Sequence, residues 1–81
     1  MPKFYIHFLN GGQLAKDDEG IDLPNLEKAR EAALTSAREI VADNVKGKAK
    51  NPLRAVIIAN ENGQDLLTIP AKDVLPEPLK D

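Results

Sequence analysis

At Leu26 the hydrophobic pattern of this chain changes period, and near Leu53 it changes back. Between Lys3 and Leu9 side chains alternate, with Phe4, Ile6 and Phe8 on one face of a strand and Tyr5, His7 and Leu9 on the other. From Leu26 the apolar residues recur at helical spacing for about twenty residues. Leu53 to Ala59 then forms a short β-branched apolar run, the signature of a well-buried, central strand. A period of 2 and a period of 3.6 need different backbones, so strands must lie on either side of a single helix. Eighty-one residues leave room for one core.

The punctuation between these segments completes the topology. Asn10-Gly11-Gly12-Gln13 tolerates positive φ and turns the chain into a short second strand near Leu14. Asp17-Asp18-Glu19-Gly20 makes a charged bend. Pro24 falls in the first turn of the helix, and Asn25 and Glu27 stand where the helix dipole favours them. At about 100° per residue, Leu26, Ala29, Ala33, Leu34, Ala37, Ile40, Val41 and Val45 share one stripe. Its alanines let the helix approach a sheet closely, so the strands must supply the bulk of the core. Gly47 offers a stop, followed by Asn51-Pro52. Asn60-Glu61-Asn62-Gly63 then turns the chain into a last strand, Asp65 to Ile69. The predicted fold is α+β with ββαββ order: an antiparallel sheet of three to four strands with one amphipathic helix packed on one face. Residues 1–70 form that domain, and 71–81, with Pro76 and Pro78, form a loosely held tail.

Composition narrows the function classes. Eleven Lys and Arg against 13 Asp and Glu give a net charge of −2, which argues against a dedicated nucleic-acid or anionic-membrane binder. The absence of cysteine excludes disulfides, thiolate zinc sites and cysteine nucleophiles. No apolar run approaches the roughly 18 residues a membrane span requires, and the N-terminal apolar stretch is too short for a signal peptide. The cytoplasm is the expected compartment.

Met1-Pro2-Lys3-Phe4-Tyr5-Ile6-His7-Phe8, then Asp18-Glu19-Gly20-Ile21-Asp22-Leu23-Pro24-Asn25-Leu26-Glu27-Lys28-Ala29-Arg30, then Asn62-Gly63 with Leu67-Thr68-Ile69-Pro70, resemble a family of small uncharacterised bacterial proteins. The resemblance runs over the chain up to the tail and implies no activity. The path from hairpin strands through Pro24-Asn25-Leu26 into a Glu-Ala helix also resembles, more distantly, the N-terminal domain of HicB-type antitoxins. The Gly- and Thr-containing stretch and the DNA-binding extension of those proteins are missing here, so the likeness is one of fold and does not carry function.

Several residues are candidates for function. His7 is the one side chain that titrates near neutral pH, and a catalytic or metal role for it competes with a place on a half-exposed sheet face. No second His, no Cys and no nucleophile-elbow serine accompanies it, so the chain leans away from being an enzyme. Asp17, Asp18, Glu19 and Asp22 lack EF-hand spacing, which favours a solvated bend over a metal site. Arg30 falls inside the apolar stripe and is expected to pair with Asp18, Glu19 or Asp22, locking bend to helix. Neither Gly11-Gly12 nor Gly63 lies between a strand and a helix as a phosphate loop does, so no cofactor is implied. The uncovered sheet face is the expected working surface: Tyr5, His7 and Leu9, with either Leu53, Ala55, Ile57 and Ala59 or Arg54, Val56 and Ile58 beside them. Both sets are largely apolar where a solvated sheet would be polar. Such a surface is most simply covered by a second copy in a homodimer, with His7 giving sensitivity to pH near 6.5. An antitoxin-like module binding a toxin or nucleic acid, and a small enzyme using His7, are the competing classes.

Overall fold

A computed structural model describes residues 1–47 and 52–74. Strand β1 (Lys3–Asn10) is followed by β2 (Gln13–Ala15), β3 (Ile21–Asp22), helix α1 (Leu26–Gly47), β4 (Leu53–Ala59), β5 (Asp65–Pro70) and a 3₁₀ turn over Ala71–Asp73. The strands form an antiparallel sheet in the order β2-β1-β4-β5, with β3 also on β1. The fold is α+β, and the run after the acidic bend adds a two-residue strand to the expected order. Asn25 caps α1 as its position suggests, its Oδ1 accepting the Lys28 N–H at 2.9 Å.

Register divides the sheet into two faces. Ile6 opposes Ile58 and Phe8 opposes Val56 across β1 and β4, while Val56 opposes Ile69 across β4 and β5. These residues and Phe4 pack beneath α1 against its Ala29, Ala33, Leu34 and Ala37. Val56 and Ile58 have no exposed surface, whereas Ile6 and Phe8 are only half-buried. The helix is therefore seated over β4 more than over β1. It leaves a cavity of about 390 Å³ on the β2 side, bounded by Ile6, Phe8, Ala15, Ile21 and Ser36.

Two local departures shape the edges of this core. The β1–β4 register slips where Leu9 opposes Ala55 but Asn10 opposes Leu53, so Arg54 is an extra residue. That bulge turns Leu53 into the core, although strict alternation would have placed it beside Ala55 on the open face. The boundary drawn at Pro70 also moves outward. Val74 is wholly buried in the core, and its carbonyl accepts the Arg38 Nε–H at 3.2 Å, so 71–74 are not a loose tail. Residues 75–81 lie outside the described residues.

Candidate functional site

The face opposite the helix carries Tyr5, His7 and Leu9 from β1, opposed by Ala59, Ile57 and Ala55 from β4. Leu14 opposes Leu9 from β2, and Thr68 and Pro70 oppose Ile57 and Ala55 from β5. Of the two sets considered for β4, the one containing Ala55, Ile57 and Ala59 faces outward. Val56 and Ile58 are corrected to core residues, because their cross-strand partners Phe8 and Ile6 point to the helix. Tyr5, His7, Leu9 and Ile57 share this face, and each is half-buried by its neighbours within the layer.

One end of this face is a groove of about 280 Å³. Tyr5, His7, Ile57 and Ala59 belong to its lining, and carboxylates stand on both sides. Asp17 and Asp18 come from the β2–β3 connection, while Glu61 comes from the β4–β5 turn and Asp65 from the start of β5. Against these four carboxylates the lining contains one ammonium, that of Lys16. The turn that presents Glu61 is held by Asn60, whose Oδ1 accepts the backbone N–H groups of Asn62 and Gln64, both at 3.0 Å.

The opposite bank is built by Asp17, which nothing in the sequence sets apart from Asp18, Glu19 and Asp22. β2 covers β1 at residues 8–10 and β3 covers it at 3–4, so the strand edge between them lacks a backbone partner. Asp17 fills the gap with its side chain. Its Oδ2 accepts the Ile6 N–H at 3.2 Å, and its Oδ1 accepts those of Glu19 and Gly20 at 3.1 and 3.0 Å. Its own N–H donates to His7 Nδ1 at 3.0 Å. Partial burial works to raise the Asp17 pKa, but the N–H groups of Gly20, Ile6 and Glu19, with His7 adding to them, outweigh it. The carboxyl is held below its ordinary value. Gly20 closes the bend at φ 74°, where an added Cβ would stand 2.8 Å from Lys3 Cγ and 3.0 Å from Tyr5 Cε2.

This geometry replaces the expected ion pair. Arg30 is exposed and bonds to none of Asp18, Glu19 or Asp22. Asp18 lines the open-face groove, on the far side of the sheet from α1, and Asp22 opposes Lys3 across β3 and β1. Leu26, in the first turn of the helix, is 37% exposed, so a stripe position there does not imply burial. The bend needs no cation because backbone N–H groups satisfy its central carboxylate.

The His7 contact also defines what its ring can do. A nitrogen that accepts a backbone N–H carries no proton, so in the neutral ring the hydrogen sits on Nε2. His7 thus offers the groove a donor, not the lone pair that a general base or metal ligand needs. Among the described residues no group of three or more His, Cys, Asp or Glu could hold a metal ion, and no helix is long and apolar enough to cross a membrane.

Among the described residues, the fold and this face define a small two-layer α+β module with one side of its sheet uncovered. Residues 3–72 match the model of a family described as a domain of unknown function (DUF6894), and the chain belongs to that family. No curated protein and no solved structure matches it.

Proposed function

We propose that this protein is an interaction module that self-associates through the open face of its sheet. The observation that carries the reading is Ile57. It stands at the middle of β4, between His7 and Thr68, on a face that also presents Tyr5, Leu9, Leu14, Ala55 and Pro70. A solvated antiparallel face would alternate with polar residues here, and an apolar surface of this extent marks an interface. The molecule measures 36 and 26 Å along its two longer axes and 15 Å along the third. A face of those dimensions is on the order of the roughly 800 Å² that each partner buries in a standard interface. A two-fold copy covers it without requiring a second gene product.

The competing classes have less support. Four carboxylates lining the groove repel the phosphates of a nucleic acid, and a His7 that presents Nε2–H is not placed to act as a base.

Sedimentation equilibrium at micromolar to millimolar concentration tests the reading. The parent is expected to sediment as a dimer and Ile57→Lys as a folded monomer. Val56→Lys, which puts an ammonium into the core, is expected to unfold. A parent that stays monomeric throughout that range would defeat the reading.

A further inference from the structure

We propose that His7 is an acid-sensitive latch: its neutral ring holds the β2–β3 connection against β1, and the protonated ring releases it. The contact lies within one chain and does not depend on the self-association proposed above. Asp17 makes two bonds to β1, and they are of opposite kinds. Its Oδ2 accepts the Ile6 N–H at 3.2 Å, while its own N–H donates to His7 Nδ1 at 3.0 Å. Its bonds to Glu19 and Gly20 stay within the connection.

The His7 tie exists only while Nδ1 is bare. A proton entering the neutral ring has no other site, since Nε2 already carries its hydrogen, and in the imidazolium both nitrogens donate. Nδ1–H then faces the Asp17 N–H, donor against donor. That N–H is part-buried, and leaving it in place without an acceptor costs the desolvation of the group. Moving the backbone of residue 17 out to water removes the conflict. The connection yields before β1 does, because β1 is paired with β4 from Tyr5 to Asn10, whereas residues 16–20 belong to no strand.

Among the described residues, the titratable groups around the ring all line the groove. Lys16, Asp17 and Asp18 stand on the connection, Glu61 and Asp65 across the face, and Tyr5 on the same strand, with the apolar Ile57 opposite on β4. The four carboxylates only accept, so they draw the N–H groups of an imidazolium away from a backbone amide. The Asp17 carboxylate keeps its own amides through this step, because those bonds hold it ionised to below the ordinary Asp value. Imidazoles take up a proton at higher pH than carboxylates, so acid undoes the two ties in sequence, the one to His7 first and the one to Ile6 later.

A pH titration of the parent by NMR follows the His7 ring together with the amides of residues 6 and 17. At neutral pH the ring nitrogens are expected to show hydrogen on Nε2 and a bare Nδ1. As the ring titrates, the Asp17 amide is expected to lose about tenfold of its hydrogen-exchange protection, the size of one net hydrogen bond, with the same midpoint as the ring. The Ile6 amide is expected to stay protected until the carboxylate titrates. Two variants fix the ends of the range. His7→Asn places a carbonyl oxygen near the position of Nδ1 and does not titrate, so Asp17 should stay protected throughout, while His7→Phe offers no acceptor and should leave it unprotected at every pH. Dispersed amide spectra check that both fold. Hydrogen on Nδ1 at neutral pH, or Asp17 protection in the parent that does not follow the ring, overturns the latch and leaves the self-association untouched.

Discussion

Asp17 gathers three backbone N–H groups on one carboxylate and gives its own N–H to His7, so a single side chain stands in for the missing stretch of an edge strand. Asn at this position keeps an oxygen for Glu19 and Gly20 but turns an amide donor toward the Ile6 N–H. Asp17→Asn is therefore expected to release residue 6 alone, while Asp17→Ala releases 6, 19 and 20, each visible as faster amide hydrogen exchange. The same carboxylate sets an acid response. Because its folded pKa lies below the unfolded one, its contribution is fully present above the ordinary Asp value of about 3.9 and is lost as pH falls through the lower folded value. An acid titration followed at the Glu19 and Gly20 amides should show a transition below that ordinary value, and the transition should vanish in Asp17→Asn. Gly20→Ala strains the same bend, since φ 74° alone costs a Cβ-bearing residue about 1–2 kcal/mol and Lys3 and Tyr5 already fill the space. Its melting temperature should fall, with the spectral changes centred on residues 3, 5 and 17–20. Nothing in the order Asp17-Asp18-Glu19 distinguishes the residue that does this work from its neighbours. Only the gap between β2 and β3 does so.

At the scale of elements, β1, α1, β4 and β5 form where period and turn residues place them, and Asn25 caps α1. The departures occur where an element's environment depends on a distant one. Leu53 lies on the core side because the bulge at Arg54 breaks the alternation, and Leu26 stays exposed in the first turn of the helix despite its place in the apolar stripe. The segment after Pro70 reads as polar and Pro-rich, yet Val74 fills the core and its carbonyl ties to Arg38. Burying a valine side chain contributes about 1.5–3 kcal/mol, and a domain of this size loses roughly 4–8 °C per kcal/mol. A chain ended after Pro70 is expected to melt about 6 °C or more below the parent, and Val74→Ala to show only part of that loss. Equal melting temperatures would show that Val74 does not hold the core closed.

At the scale of the whole molecule, one helix and one sheet make two layers, and among the described residues no element covers the second sheet face. If a second copy supplies the cover, folding and association are linked: the parent's melting temperature should rise with protein concentration, by several degrees over roughly a hundredfold range, while that of Ile57→Lys stays constant. The α+β class, the central place of the 53–59 run and the apolar character of the uncovered face were legible in the order of residues, because alternation, helical spacing and turn chemistry act within a few residues along the chain. Which half of β4 turns outward, which carboxylate closes the bend, and where Arg30 and Val74 end up were not. Those outcomes depend on register, on a one-residue bulge, and on which residues the helix meets on its sheet. Such features arise only when segments remote in sequence are brought together, and a shift of one residue between strands exchanges core for surface without altering the local pattern.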